Sequence, residues 1–269
     1  MSLDPRLLSL LGDWINHPRA DGAPPIIGIG GCQGSGKTTY ARQAAQQFGA
    51  AHFSIDDIYL TKAERQKMAA AIHPLFAVRG VPGTHDITLG QSVIDQLSSA
   101  KPDTETPIPA FDKLQDDRAP QHTWPVFKGR PTAIIIDGWC VGATPITPDT
   151  LTTPVNALER EQDAEARWRT AWNKALTDIY RPWFDRFDKT LYLAAPSFDV
   201  VVDWRSEQEA GLMQLPPAAL PPERRDAICQ FIAYYEHLTR HMLAGGVKAD
   251  AVASLDTSRS VCDLRQQNL

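Results

Sequence analysis

Short apolar runs alternate along the chain with longer segments of mixed polarity. The apolar runs lie at 24–31, 50–56, 132–139, 189–195 and 249–256. Runs of this length predict strands that are buried on both faces, and the longer segments between them have helical composition. The alternation therefore predicts an α/β fold, in which helices cover both faces of a parallel sheet.

Three of the segments between the strands predict helices. An N-terminal helix is predicted at residues 4–16, followed by a Pro/Gly loop that ends near residue 24. A second helix is predicted from Thr88 to Ser99, with either Asp86 or Thr88 as its cap. Residues 158–188 carry large apolar side chains mostly at helical spacing, which predicts helical structure. They are Leu158, Trp168, Trp172, Leu176, Ile179 and Trp183, of which the two tryptophans Trp168 and Trp172 are interpreted as core residues.

The segment 101–131 differs from the rest of the chain because it is rich in proline and polar residues. It is too long for a plain connection between two elements. We therefore predict either an insertion that carries function, such as a substrate loop, or a mobile loop.

Length and composition narrow the class of protein. With 269 residues and 43% hydrophobic content, the chain can bury a full core, and we expect one domain over residues 1–269. The net charge of -5 disfavours a nucleic-acid partner, although it leaves room for a local basic pocket. The four cysteines are far apart, which favours reduced thiols over a disulfide framework or a structural zinc site.

Neither a membrane span nor a signal peptide is predicted. No segment approaches about 18 uninterrupted apolar residues, and the N-terminus lacks the shape of a signal peptide. We expect a soluble cytoplasmic protein without a membrane partner.

A glycine-rich loop follows the first predicted strand. Residues 31–38, GCQGSGKT, fit the pattern G-x-x-x-x-G-K-[ST] and open a predicted helix, which is the context of a phosphate-binding P-loop. Its glycines let backbone N–H groups converge on phosphate oxygens, and the helix N-terminus adds its positive dipole end. Lys37 is predicted to bridge the β- and γ-phosphates, and the Thr38 hydroxyl to bind Mg²⁺. The predicted ATP-binding residues are Gly31, Gln33, Gly34, Ser35, Gly36, Lys37, Thr38 and Thr39.

Missing motifs exclude two classes of nucleotide-binding protein. A guanine-specific switch protein carries N-K-x-D, whereas the Asn173-Lys174 pair continues with Ala-Leu. A motor-type ATPase places a glutamate beside the aspartate that ends a strand, whereas Asp137 is followed by Gly138. Asp137 is predicted to support Mg²⁺ together with Thr38. A small-molecule kinase is the class that these observations favour.

Two adjacent carboxylates, Asp56 and Asp57, end the second predicted strand. Phosphoryl transfer to an alcohol needs a carboxylate that orients the hydroxyl and accepts its proton. Neighbouring residues on an extended chain point in opposite directions, so one of the two is expected to face the site. We predict that Asp56 is the catalytic base, and that Asp57 caps the next helix or contacts a Mg²⁺-bound water.

Seven segments, in order from about residue 25 to the C-terminus, resemble the plant- and fungal-type glycerate kinases. They are GIGGCQGSGKTT, FSIDDIYLTKAER, AVRGVPGTHD, PAFDKLQDDR, IDGWCVGA, SFDVVVDWRSEQE and FIAYYEHLTRHM. The resemblance implies a three-layer P-loop fold with a five-stranded parallel sheet in the order 2-3-1-4-5. It also implies ATP- and Mg²⁺-dependent phosphorylation of D-glycerate, at the 3-hydroxyl, to give 3-phosphoglycerate. In related kinases the aspartate that matches Asp56 is the base, and a lid, here 198–225, carries an arginine that matches Arg205.

A set of polar side chains suits an anionic acceptor such as glycerate. A carboxylate needs cationic donors, and hydroxyl groups need acceptors. The cationic candidates and His85 lie in two loop-like segments, RGVPGTHD and FDKLQDDR, which also carry aspartates. The predicted substrate-binding residues are Asp57, Tyr59, Arg79, His85, Asp86, Asp112, Lys113 and Arg118.

Two other functions stay open on the sequence. The aromatic side chains Tyr59, Phe111 and Trp139 flank the site motifs, so a uridine-type acceptor is an alternative, as is pantothenate. A regulatory P-loop ATPase without a small acceptor is the second alternative. The segment 253–263 after the last strand is the predicted adenine-side loop, and the oligomeric state has no sequence signal.

Overall fold

The computed structural model describes residues 4–17 and 19–267, which form a central six-stranded sheet with helices around it. Strands β1 to β10 span Ile26–Gly31, Ala51–Ser54, Glu105–Pro107, Phe111–Asp112, Asp117–Arg118, Val126–Lys128, Ile134–Gly138, Lys189–Ala194, Ala251–Leu255 and Val261–Gln266. Helices α1 to α11 span Pro5–Ile15, Lys37–Phe48, Lys62–Ala71, Ile87–Ser98, Pro148–Leu151, Ala157–Gln162, Arg167–Ala175, Arg181–Phe184, Asp199–Leu212, Pro222–Ala233 and Glu236–Leu243.

The strand order of the central sheet is β10-β9-β8-β1-β7-β2. Strands β2, β7, β1, β8 and β9 are parallel, and in chain order they give the predicted sequence 2-3-1-4-5, which is confirmed. The antiparallel strand β10, which pairs with β9 at the edge, was not predicted. Gly30 of β1 lies opposite Gly138 of β7 and Tyr192 of β8, so the carboxyl ends of the central strands meet at one edge.

Two apolar cores lie on the two faces of the sheet. Ile134 and Ile136 of β7 belong to one core and Ile135 to the other, because successive residues of a strand face opposite sides. The two tryptophans Trp168 and Trp172 are buried in the first core, as interpreted from the sequence. Burying a large apolar side chain stabilises the fold by about 1.5–3 kcal/mol, so both faces need their helices. The predicted helical cover on both faces is confirmed.

The predicted helices at 4–16 and 88–99 are α1 and α4. Asp86, and not Thr88, caps α4, because its Oδ1 accepts from the Leu89 N–H at 2.9 Å. Among the described residues, no helix is both long enough and apolar enough to cross a membrane.

The segment 158–188 is less regular than its spacing suggests. Ala166 has a left-handed φ of 55°, and the Asp163 carboxylate accepts from the Trp168 and Arg169 N–H groups at 2.8 and 3.1 Å. This carboxylate starts a new helix, so α6 and α7 are separate elements. Ile179 lies in a π-helical turn and is 48% exposed, unlike the buried Trp168 and Trp172.

The segment 101–131 folds into two antiparallel ribbons, β3 with β6 and β4 with β5. The second ribbon is bonded to the chain that follows β2. The Lys62 N–H donates to Asp117 at 3.0 Å, and Arg118 donates to the Tyr59 carbonyl oxygen at 3.0 Å. These contacts hold the turn between β4 and β5 beside the carboxyl end of the central sheet.

Candidate active site

A half-open cleft of about 670 Å³ lies at the carboxyl ends of the parallel strands. The segment after each of the five parallel strands contributes to its wall. Residues from the P-loop, the turn after β2, Trp139 after β7, helix α9 and Arg259 after β9 all line it. This is the edge at which doubly wound sheets bind ligands.

The P-loop takes its shape from glycines in the left-handed region. Gly34 has φ 77° and Gly36 has φ 88°, and α2 begins immediately afterwards at Lys37. Six of the eight predicted ATP-binding residues line the cleft: Gln33, Gly34, Gly36, Lys37, Thr38 and Thr39. Gly31 and Ser35 lie outside the cleft lining, and Ser35 is completely buried. The loop and the helix N-terminus form the cradle that phosphate groups require.

Helix α9 packs directly on the P-loop. A Cβ atom added at Gly34 would come within 2.6 Å of Trp204 Cβ and 2.9 Å of the Trp204 carbonyl carbon. No real side chain tolerates such distances, so glycine is required here for space as well as for its φ. The first turns of the lid region therefore rest against the phosphate cradle.

Thr38 lines the cleft and contacts Asp137, which is completely buried outside the cleft lining. The Thr38 hydroxyl donates to Asp137 Oδ2 at 2.7 Å, and His52 Nε2 lies 2.7 Å from Asp137 Oδ1. Within residues 4–17 and 19–267, no cluster of three or more His, Cys, Asp or Glu side chains has a metal-binding arrangement. A hydroxyl and a carboxylate beside a phosphate cradle nevertheless suit Mg²⁺, which takes few protein ligands and completes its shell with phosphate and water.

Asp56 lies at the edge of the cleft with both oxygens occupied. The Tyr59 hydroxyl donates to Oδ1 at 2.8 Å, and Lys113 Nζ lies 3.7 Å from Oδ2. Burial raises the pKa of Asp56, but the charges of Lys113 and Lys37 and the Tyr59 hydrogen bond outweigh it, and the pKa is lowered overall. Asp56 is therefore ionised at neutral pH and able to accept a proton.

Asp57 has a different environment from Asp56. The sequence argument assumed an extended chain, but residues 55–58 form a single 3₁₀ turn. Asp57 Oδ2 accepts from the Ser54 N–H at 2.9 Å and caps that turn, so Asp57 lies outside the cleft lining. Burial, together with the charges of Asp56 and Asp137, raises the pKa of Asp57 to about 6.

Three of the predicted substrate-binding residues line the cleft: Tyr59, Arg79 and Lys113. Arg79 pairs with Asp116, and its guanidinium carbon lies 5.4 Å from the centre of the Phe111 ring. Lys113 lies at the start of the turn between β4 and β5, and its side chain is 61% exposed. The cleft therefore has two cations on the side of Asp56.

His85 lies behind the cleft wall. Its ring stacks on Tyr59 with centroids 4.4 Å apart, and its Nδ1 is 2.6 Å from the Tyr180 hydroxyl oxygen. Burial lowers the pKa of His85 to about 3, so the ring is neutral. His85 supports Tyr59, which in turn donates to Asp56.

The other three predicted substrate residues hold loops together. Asp86 caps α4 and accepts from Arg118 Nη2 at 2.9 Å. Asp112 accepts from the Leu114 and Gln115 N–H groups at 2.9 and 3.1 Å, which closes the turn between β4 and β5. None of the three lines the cleft.

Arg205 of helix α9 points into the cleft. It pairs with Glu209 at 3.0 Å, one helical turn further on, and its Nη1 makes no hydrogen bond within the described part of the chain. Glu207 and Gln208 line the cleft beside it. Arg205 therefore has unused hydrogen-bond donor capacity.

Several lining residues were not predicted as site residues. They include Trp204 and Phe231, which lie in helices, and Tyr235, which lies between α10 and α11. Such aromatic residues carry no sequence mark of the cleft they border. Arg259 belongs to the predicted adenine-side loop but was not singled out. Asp256, three residues earlier, is a signal for a turn, yet only the pairing of β10 with β9 brings that turn to the P-loop.

Comparisons with known proteins identify similar kinases. The chain is 34% identical over 209 residues to the uncharacterized kinase mug58 of Schizosaccharomyces pombe, covering 73% of this chain and 74% of that protein. It is 28% identical over 254 residues to the chloroplastic D-glycerate 3-kinase of Arabidopsis thaliana, covering 88% of this chain. The chain spans 53% of the plant enzyme's length. No protein-family profile matches it.

A solved structure shares the fold. The D-glycerate 3-kinase of Cryptococcus neoformans superposes with a TM-score of 0.74 at 20% sequence identity, covering 97% of this chain and 96% of that one. At this identity, the likeness establishes the shared fold.

Proposed function

Because the chain belongs to the plant- and fungal-type D-glycerate 3-kinase family, an ATP-dependent phosphotransferase family, we propose that its own acceptor is D-glycerate. The product is 3-phosphoglycerate, formed by transfer of the γ-phosphoryl group of ATP to the 3-hydroxyl. One observation carries the proposal: the ionised Asp56 and the cations Arg79 and Lys113 line the same cleft as the P-loop. A base beside two cations suits a small hydroxy acid.

The aromatic residues around the cleft favour this acceptor over a nucleoside. Tyr59 and Trp139 are each only 3% exposed. The Tyr59 ring stacks on His85, and the Trp139 and Tyr235 rings pack edge to face with centroids 4.9 Å apart. A uracil base would need an exposed aromatic face on which to stack, and the Tyr59 and Trp139 rings are almost completely buried.

The proposed roles follow from the contacts. Asp56 accepts the proton of the 3-hydroxyl, whose oxygen attacks the γ-phosphorus while ADP leaves. Arg79 and Lys113 bind the glycerate carboxylate. Lys37 of the P-loop and Arg205 of helix α9 neutralise charge on the transferred group.

Thr38 and Asp137 are the residues that would hold Mg²⁺. When bound, the ion neutralises negative charge on the phosphate oxygens. His52 Nε2 lies 2.7 Å from Asp137 Oδ1, so Oδ2 is the Asp137 oxygen that contacts Thr38.

An assay of ADP release tests the proposal. The acceptors are D-glycerate, L-glycerate, glycerol, uridine and pantothenate, each at the same concentration. D-Glycerate is expected to give the largest stimulation, and glycerol, which lacks the carboxylate, to give little. Phosphorus NMR of the product then distinguishes the 3-phosphate from the 2-phosphate.

Two results of this assay would contradict the proposal. A larger stimulation by uridine or pantothenate would assign the protein to another acceptor. ADP release that is indifferent to every acceptor would favour the regulatory ATPase.

A further inference from the structure

Arg259 lies where three parts of the nucleotide side of the cleft meet. Its Nε donates to the Gly34 carbonyl oxygen of the P-loop at 2.6 Å. Its Nη2 donates to the Glu207 carboxylate of helix α9 at 2.7 Å, and its guanidinium carbon lies 5.0 Å from the centre of the Trp204 ring. One side chain therefore connects the turn after β9, the P-loop and the lid helix.

The turn at residues 256–260 is built to present this side chain. The Asp256 carboxylate accepts from the Ser258 and Ser260 N–H groups at 2.8 and 2.9 Å. Arg259 itself has a φ of 67°, a left-handed conformation that costs energy in a residue with a Cβ atom. The Trp204 indole N–H donates to the Thr257 carbonyl oxygen at 2.9 Å and holds the turn against α9. The position of Arg259 is thus fixed by its backbone as well as by its partners.

The contact with Gly34 bears on phosphate binding. A P-loop binds anions through N–H groups that converge on the ligand, and a carbonyl oxygen turned into the same space would repel them. The Gly34 carbonyl oxygen is committed to a charged donor, and the Ser35 N–H on the same peptide donates to the Cys32 carbonyl oxygen at 3.3 Å. Hydrogen bonds from charged donors are about twice as strong as neutral ones, so this peptide is held firmly.

We propose that Arg259 is a positioning residue of the nucleotide site, which fixes the peptide between Gly34 and Ser35 and joins the P-loop to helix α9. The bond to Glu207 offsets the charge that Arg259 would offer to a phosphate group. Its action on nucleotide is therefore through the loop. The role concerns ADP and ATP equally and does not depend on which acceptor the enzyme uses.

The variant Arg259→Met tests this role against a matched control. Arg265→Met removes an arginine from the adjacent strand β10, where the side chain is 79% exposed and pairs with Asp263. Calorimetry gives the Kd of MgADP and MgATP, steady-state kinetics give kcat and both KM values, and a thermal melt gives Tm. Arg259→Met is expected to weaken both nucleotides by a similar factor of roughly 10 to 100, the effect of losing a charged hydrogen bond. The acceptor KM and the Arg265→Met variant should stay at wild-type values.

Two outcomes would overturn the proposal. Unchanged nucleotide Kd values in Arg259→Met would remove any role in nucleotide binding. A lowered Tm with unchanged Kd values would reduce Arg259 to a structural link between α9 and the turn.

Further variants keep the test decisive if Arg259→Met does not fold. Arg259→Lys retains the charge but reaches Gly34 or Glu207 and not both, so an intermediate Kd is expected. Asp256→Ala releases the turn without substituting any side chain that lines the cleft. It should also weaken the binding of MgADP. Asp256→Asn keeps an acceptor oxygen and should restore binding. Wild-type affinity in both Arg259→Lys and Asp256→Ala would contradict the proposal. MgADP binding is measured without an acceptor, so a failure here is distinct from a failure of the glycerate assignment.

Discussion

The two ends of the cleft are constructed in opposite ways. The phosphate cradle of the donor end is one continuous stretch, residues 31–39, whose shape comes from glycine backbone and a helix N-terminus. The acceptor end is assembled from the turn after β2, the segment 79–86 and the ribbon of β4 and β5. The ion pairs Arg79–Asp116 and Arg118–Asp86 connect the segment 79–86 to the ribbon, and Lys113–Asp56 connects the ribbon to the turn after β2.

Because of this difference, the two ends should respond differently to substitutions. A site made of backbone groups depends on few side chains, and a short sequence motif is enough to identify its chemistry. A site made of side chains on separate loops changes its geometry when a single link is removed. The donor end therefore defines the reaction type, and the acceptor end allows the substrate to vary within one fold.

The strongest test of the comparison removes the proposed base. Asp56→Asn should lower kcat by about 10² to 10⁴-fold, the usual contribution of general-base catalysis. The Kd of MgADP should be unchanged, because Asp56 belongs to the acceptor end. Stopped assays and calorimetry on the same preparation measure the two quantities.

Asp57→Asn is the matched control, because it makes the same chemical change at the adjacent residue. Its kcat should stay within a few-fold of the wild type, since Asp57 caps the turn. Equal losses in the two variants would mean that the turn, and not the Asp56 carboxylate, carries the effect.

The next test breaks the donor end. Lys37→Ala should lower kcat by about 10² to 10³-fold, as expected when a donor to the developing charge is lost. It should also weaken MgATP, in contrast to Asp56→Asn. Lys67→Ala, on the exposed surface of α3, is the control. A Lys37 variant with wild-type MgATP affinity would contradict the assignment of the donor end.

A third test compares two arginines that both form ion pairs at the acceptor end, of which Arg79 lines the cleft and Arg118 does not. Arg79→Met should raise the KM for D-glycerate by roughly 10- to 100-fold and leave the KM for ATP unchanged, because a charged hydrogen bond to the carboxylate is lost. Arg118→Met keeps the cleft cations but frees the ribbon from Asp86 and Tyr59. It should lower the free energy of unfolding by about 1–3 kcal/mol. If Arg118→Met raised the KM for D-glycerate and Arg79→Met lowered only the free energy of unfolding, the two roles would be reversed.

The same contrast explains how far the sequence predicts this molecule. Strand positions and their order follow from local patterns and from the family resemblance, because burial on both faces leaves little freedom in the apolar runs. The P-loop motif can be recognised because its eight positions, 31–38, are contiguous, and six of the eight predicted ATP-binding residues line the cleft. Asp86, Asp112 and Arg118 have the right chemistry for an acceptor site, yet their side chains close loops.

Residues on the lid and on the last turn escape prediction for a related reason. In the sequence, Trp204 resembles any apolar residue of a helix. Its contact with Gly34 in the structure shows that it packs against the P-loop. Arg259 reaches the P-loop from 225 positions away in the chain. Such contacts depend on the pairing of distant strands, which a single sequence does not encode in any local pattern.

The smallest effect on catalysis, and a separate one on stability, is expected from the charge of Asp57. Its pKa is raised to about 6 from 3.8, so the native state holds the proton more tightly than the unfolded chain. The resulting stability is complete below pH 4 and is lost as the pH rises through 6. Asp57→Asn keeps an acceptor for the Ser54 N–H without the charge. At pH 7 the ligand-free variant should therefore exceed the wild type in free energy of unfolding by at most about 3 kcal/mol.

Urea unfolding between pH 4 and 7 measures this difference. The two proteins should converge near pH 4 and separate above pH 6. A constant offset across the range would mean that the Asp57 carboxylate is not the group that titrates.

The central place of β1 in the sheet determines when the nucleotide site comes into existence. Ile26 of β1 pairs with Ile134 of β7, and Ile27 pairs with Lys189 of β8. At a synthesis rate of about 5–20 residues per second, β1 waits roughly 5 to 20 seconds for its first neighbour and longer for its second. During this interval the P-loop sequence exists without the strands that support it. ATP therefore stabilises the finished enzyme and gives no help to the growing chain, whose early apolar strand must be protected by other means.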